Sequence, residues 1–253
     1  GGRGQFIVNG GWTKQGIMAF SGTTDILGDI HNDAGGQIVT SGVATTTIFD
    51  DLEHNGLEIR TSADSRTVIF GQASGTGGYT GSGTVYFEGD LRPGSSPGAI
   101  SFGGDVVLGS SSTTQIELAG TTAGAYDQLL IAGELAIGGE LEVTLLSGFV
   151  PDPGDQFDII TANTISGTFG TYNAPALSGG LMLHLLYEPT VVSLTAGVLG
   201  DVDVDGDIDA DDIDRLYGEF ASPTGWNPAD LDFDGDADQD DTTKLVQDIL
   251  NTD

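Results

Sequence analysis

Short runs of β-favouring residues, punctuated by Gly, Asn, Asp and Ser, recur through the first 200 residues of this chain. No stretch among them keeps a 3.6-residue apolar period over ten or more positions. The runs 37–40, 46–49, 57–60, 67–70 and 84–87 illustrate the rhythm, recurring every 8 to 20 residues. A chain of this kind satisfies its backbone N–H and C=O groups by pairing strands, so the pattern predicts an all-β architecture. The passage TDILGDIHNDAGGQIVTSGVATTTIFDDLEHNGLEIRTSADSRTVIFGQ makes two similar passes of strand, Asn/Gly turn, short strand, Ser/Ala turn and strand. Paired short strands with turns in phase are what a parallel β-helix needs, because each coil buries its inward side chains against the coils on either side. A β-sandwich gives a similar succession of strands and remains open on pattern alone.

Composition then divides the 253 residues. The whole chain has 7 Lys+Arg against 38 Asp+Glu, a formal charge of −31, with 41 Gly and no Cys. Residues 201–253 hold 17 Asp and one Glu (Glu219) against Arg215 and Lys244, for a net −16, and only 4 of the glycines. Opposed shifts in charge and glycine mark a domain boundary, which falls in the segment Ala196 to Gly200. The expected division is a β domain over 1–197 and a small domain over 198–253. So few cations disfavour nucleic acid and anionic membrane surfaces as partners, and no window has the apolar length of a membrane span. The absence of Cys removes disulfides and thiolate metal sites, so it does not indicate a redox compartment. The first residue is Gly1, without Met or a leader, and the expectation is a processed or truncated piece of a longer chain.

The acidic region carries the sharpest motif. From Asp201 the sequence reads DVDVDGDIDADD and from Asp230 it reads DLDFDGDADQDD. Asp201, Asp203, Asp205, Asp209 and Asp212 occupy positions 1, 3, 5, 9 and 12 of the first loop; Asp230, Asp232, Asp234, Asp238 and Asp241 occupy them in the second. Position 7, Asp207 or Asp236, contributes a backbone carbonyl, and Gly206 or Gly235 at position 6 permits the sharp turn around an ion. Ca²⁺ takes six to eight oxygen ligands and such a loop supplies them, so two bound Ca²⁺ ions are expected. A solvated acidic tail is the competing reading. Against it, apolar residues interleave the acids, and Ile213, Leu216, Tyr217 and Phe220, then Leu245, Val246, Ile249 and Leu250, form helical stripes after each loop. Five clustered carboxylates per loop repel one another without the ion, so this module is expected to fold only with metal.

The duplicated loop-helix unit lacks the entering helix of an EF-hand and has Asp at position 12. In this it resembles a type I dockerin across residues 200–252. The resemblance implies secretion and attachment to a cohesin domain on another protein. Loop positions 10 and 11 depart from the Ser-Thr often found there, being Ala210 with Asp211 and Gln239 with Asp240. Calcium ligation therefore carries over more directly than the choice of partner. Residues 83–169, with the turn Pro93, Gly94, Ser95, Ser96, Pro97, Gly98, are similar to the last coils of autotransporter-type passenger domains of bacterial surface proteins. That similarity implies a right-handed parallel β-helix at the cell surface or outside the cell. Strands 141–146, 156–161, 181–187 and 191–196 are then expected to close one end. The N-terminal end GGRGQFIVNGGW shows no comparable cap, so further coils or a partner are expected there.

A parallel β-helix also serves enzymes that cut acidic polysaccharides. Their lyases need basic groups, and this domain offers only Arg3, Lys14, Arg60, Arg66 and Arg92. Asp50 and Asp51, with Glu53 and His54, are the best candidates for paired-carboxylate hydrolysis. The following Asn55-Gly56 favours a plain polar turn instead. His31 has the same turn reading, His184 in LMLHLLY reads as a strand residue, and three scattered His make no metal cluster. Trp12, Tyr79, Tyr86 and Tyr172 are conceivable sugar platforms, but aromatics in β domains are usually packing residues. The sequence therefore points to a non-catalytic, extracellular structural protein that assembles with further copies of itself, head to tail into a filament or surface layer, or with a cohesin-like domain. A polysaccharide-binding or polysaccharide-degrading protein is the remaining alternative.

Overall fold

The structure, a computed structural model, describes residues 3–7, 11–94, 97–178, 180–198, 200, 239 and 242–245. Strict alternation of inward and outward side chains in runs of three to six residues produces short strands. The strand Gln37–Thr40 shows the pattern, burying Ile38 and Thr40 while Gln37 and Val39 stay half-exposed. From Gly4–Ile7 to Thr171–Asn173, strands three apart in the chain are neighbours in the same sheet and pair in parallel. The chain therefore winds as a three-faced, β-helix-like solenoid. The register Thr24↔Thr46, Thr45↔Arg66 and Thr84↔Asp105 sets the rise from coil to coil. The fold is thus mainly β, as the alternation indicates, with its strands in parallel stacks and not in a sandwich.

The contacts divide the chain into two compact units. The first comprises residues 1–149, 159–175 and 189–191. Its first sheet runs from Gly4–Ile7 to Thr164–Gly167 in eight strands, and its second from Trp12–Lys14 to Thr171–Asn173 in eight. The third face begins at Ile17–Phe20 and Gln37–Thr40, which pair in parallel like the others. The inward columns are continuous. Ile26, Ile48, Ile69 and Phe87 rise along the first sheet and Ile30, Leu52, Ala73 and Leu91 along the second, all fully buried. Burial of such columns at about 25 cal/mol per Å² is the main favourable term of the fold.

The second unit comprises residues 150–158, 176–188 and 192–253. Its described part contains an antiparallel hairpin of Leu181–Tyr187 and Val191–Val198, in register from Leu181↔Val198 to Tyr187↔Val192. Val192, Leu194 and Ala196 are fully buried. The Gly154 N–H donates to Ala196 O at 2.7 Å, and the Ala196 N–H to Asp155 O at 2.8 Å.

Of the four strands expected to close an end, the last two form this hairpin and the first two pair in parallel. Glu140–Leu145 lies within the second parallel stack, and Gln156–Thr161 pairs in parallel with Gln128–Ile131.

Candidate functional site

The twelve aspartates of the two acidic loops lie outside the described residues, so the geometry available concerns the solenoid. Four of its aspartates, at corners between faces or at the first position of a strand, accept backbone N–H groups from other turns of the chain. Asp50 Oδ2 accepts from Gly28 N at 2.6 Å and Asp51 Oδ1 from Gln72 N at 2.9 Å. Asp105 Oδ1 accepts from Glu134 N at 2.9 Å, and Asp127 binds Gly98 N at 2.6 Å through Oδ1 and Glu117 N at 2.9 Å through Oδ2. A corner leaves strand-type amides without a ladder partner, and a short carboxylate reaches them across the 4.8 Å step between coils. Burial pushes the Asp127 carboxyl up to about 6, against the two N–H donors that favour its charged form.

The cluster Asp50, Asp51, Glu53 and His54 is not brought together. Within Leu52–His54 successive side chains point to opposite faces, so Glu53 stands outside and His54 inside. Outside, Glu53 Oε2 lies 2.8 Å from His31 Nδ1 and its Oε1 accepts from Asn55 Nδ2 at 2.8 Å. Inside, His54 is 1% exposed, its Nε2 is 3.1 Å from Gly78 O, and its Nδ1 is 3.0 Å from Asn32 Nδ2 and 3.3 Å from Gly56 N. A carbonyl can only accept, so Nε2 carries the hydrogen and Nδ1 offers its lone pair to two donors. Burial pulls His54 below the usual imidazole range, the Gly78 carbonyl opposes this, and the Lys14 ammonium adds to it.

Lys14, Asn32 and His54 are consecutive members of one inward column, in the register Lys14↔Asn32↔His54. Lys14 is 3% exposed; its Nζ donates to the carbonyls of Gly16 and Gln37, and burial lowers its pKa. Asn32 is fully buried, its Nδ2 also donates to Gly36 O at 3.3 Å, and its Oδ1 has no partner among the described residues. Glycine is required beside this column. A Cβ on Gly77 would stand 2.3 to 2.5 Å from three atoms of the His54 ring, and one on Gly56 would stand 2.4 Å from Asn32 Nδ2. The column went unread in the sequence because inward polar residues imitate an outward face. The shared phase of IHN at 30–32 and LEH at 52–54 was the available signal.

The aromatic candidates separate in the same way. Tyr79 is 3% exposed and packs within 4.9 Å of Phe102, 5.7 Å of Phe87 and 5.4 Å of His54, and burial raises its hydroxyl pKa. It is a core residue, not a sugar platform. Tyr86 is half-exposed between Val68 and Val107, and Tyr172 is half-exposed opposite Leu141. Trp12 lies 5.5 Å from Phe6 in an open groove of about 410 Å³ that Lys14, Ile17 and Met18 also line. His184, in the hairpin, is buried with Nε2 3.3 Å from Gly197 O, and burial lowers its pKa. Among the described residues no group of three His, Asp or Glu is placed to hold a metal ion, and no helix is long and apolar enough to cross a membrane. No protein-family model matches the sequence, and no curated protein is significantly similar to it.

Proposed function

We propose that the chain is a non-catalytic, extracellular structural protein: a right-handed parallel β-helical body followed by a dockerin-like, calcium-stabilised module that mediates assembly. The observation that carries this reading is the pair of twelve-residue loops with Asp at positions 1, 3, 5, 9 and 12 and Gly at position 6. Their donor set is all oxygen and strongly anionic, which fits a hard divalent cation and matches the Ca²⁺ loop spacing. Asp201, Asp203, Asp205, Asp207, Asp209 and Asp212 would hold one ion, and Asp230, Asp232, Asp234, Asp236, Asp238 and Asp241 the other. Bound calcium neutralises part of the charge that otherwise opposes folding of the module and approach to a partner.

The corner carboxylates favour a structural body over a hydrolase. Asp50 and Asp51 are engaged by backbone amides, and Glu53 and His54 lie on opposite sides of one strand. Further copies of the chain, joined head to tail, are the favoured partner. Attachment of a β-helical cargo to a cohesin-bearing scaffold is the second reading, favoured by the dockerin-like spacing. The test is light-scattering mass over a concentration series in millimolar Ca²⁺ and in excess chelator. Mass that climbs with concentration only in Ca²⁺ supports self-assembly. A monomer in both conditions removes it in favour of a separate partner, and equal behaviour together with no calcium uptake by calorimetry overturns the calcium reading itself.

A further inference from the structure

We propose that the Lys14–Asn32–His54 column is an acid-sensitive latch: it holds the first three coils closed near neutral pH and releases them when His54 gains a second ring proton. The inference is independent of the calcium module. It rests first on donor geometry. His54 Nδ1 receives Asn32 Nδ2 at 3.0 Å and Gly56 N at 3.3 Å, while Nε2 is committed to Gly78 O at 3.1 Å. A proton on Nδ1 therefore points an N–H at two other N–H donors. The backbone amide of Gly56 cannot reverse, and turning the Asn32 amide would withdraw Nδ2 from Gly36 O and set oxygen against oxygen.

Gly77 packs on one side of the ring so closely that even a methyl group would overlap three of its atoms, which leaves the ring no room to turn on that side. Among the described residues the new charge has no counter-ion. The groups facing the ring are Lys14, a cation two coils below in the same column, Asn32 between them, and the edge of Tyr79 from the third sheet. Glu53, its neighbour in sequence, is turned outward to His31. A second positive charge in a column already holding an ammonium, buried and without a carboxylate, is relieved by letting water in between the coils.

The sign follows from linkage. The folded chain binds the second proton on His54 less readily than the unfolded chain does. The contribution to stability is therefore complete above the ordinary imidazole value of about 6.5 and is lost as pH falls below it. The experiment is hydrogen exchange of the full chain followed by peptide mass, from about pH 8 to about pH 5, the range in which imidazoles titrate. After correction for intrinsic rates, exchange in peptides covering 12–61 is expected to rise by up to about tenfold per pH unit below 6.5, while peptides covering 99–145 show no such rise, since Asp127 there responds to acid in the opposite direction. Peptides covering 181–198 report His184 separately.

His54→Gln, which is uncharged and can still both donate and accept, is expected to remove the acid response in 12–61 whatever its basal stability. Asn32→Asp, which supplies the missing counter-ion at Nδ1, is expected to move the response to lower pH. An acid response that survives in His54→Gln overturns the proposal, as does flat exchange in 12–61 of the parent chain. Should His54→Gln fail to fold, the imidazole titration of His54 in the parent chain, followed by NMR, decides. A midpoint well below the free value supports the latch and one at or above it overturns the latch.

Discussion

The solenoid interior changes character along its length. In the first sheet one inward column reads Thr24, Thr46, Thr67 and then Val85, Val106, Leu135. Thr46 and Thr67 are fully buried, and so are Thr40 and Thr61 to within 1%, the four joined by Thr40–Thr46 at 2.8 Å, Thr61–Thr67 at 2.7 Å and Thr40–Thr67 at 3.3 Å. One coil further on, the space is filled by Phe87, Phe102 and Tyr79 in edge-on and stacked contacts. Both interiors bury the same backbone, but they hold it differently. Hydroxyls and amides bond only at set distances and so fix which residue stacks on which. Rings and aliphatic chains gain more free energy by burial while tolerating small shifts in register.

Four outcomes test that contrast, the largest first. Phe87→Ala removes a fully buried ring that touches Tyr79 and Phe102, and is expected to cost about 3–5 kcal/mol in denaturant unfolding. Thr67→Val keeps the shape but takes the Thr67 partner from the buried Thr61 hydroxyl and one of two partners from Thr40, for an expected loss of about 1–3 kcal/mol. Replacing Thr40, Thr46, Thr61 and Thr67 together by Val should recover most of it, and a quadruple variant as damaged as the single one breaks the comparison.

Asp127 provides the third. Its carboxyl is pushed up from 3.8 to about 6 in the fold, so the folded chain holds the proton more tightly than the unfolded chain. Its contribution to stability is greatest below about 4, declines as pH rises towards 6 and is level above, opposite in sign to that of His54. Asp127→Asn should remove that slope from a melting-temperature profile. The smallest effect has the opposite direction. Thr114 Oγ1 is buried without a partner between Leu91 and Leu141, so Thr114→Val is expected to stabilise by up to about 1 kcal/mol.

Much of the fold was legible in the sequence because outward residues of a solenoid face water. Alternation located Gln37–Thr40 and Thr84–Phe87 to the residue. The neighbouring runs 46–49, 57–60 and 67–70 lie one residue from the observed Thr45–Ile48, Glu58–Thr61 and Arg66–Ile69. These shifts arise where Phe49, Leu57 and Phe70 read as core. All three are exposed, and Phe49 and Phe70 stack on each other at 5.4 Å on the outer surface. The polar interior was not legible, since Thr, Asn, His and Lys inside a coil have the spacing of residues outside one. Which carboxylates staple the corners was equally hidden, because their partners are backbone amides about one coil away in sequence. Of the candidate site residues, the aspartates of the acidic loops are conspicuous by spacing alone, whereas His54 and Asn32 owe their proposed roles to stacking.

The corners also determine how the chain accommodates change in length. Arg66 stacks on Thr84, eighteen residues on, whereas Glu134 stacks on Thr164, thirty on, yet both steps keep parallel register. Between Leu118 and Tyr126 the chain makes an excursion and returns, closed by Ala119 N to Ala125 O at 2.8 Å and tied back at Asp127. The faces thus act as a ruler, with one mark per coil, while the corners act as splice points. A foreign segment grafted between Gly120 and Gly124 would be displayed at a fixed coil of the solenoid without displacing a single mark.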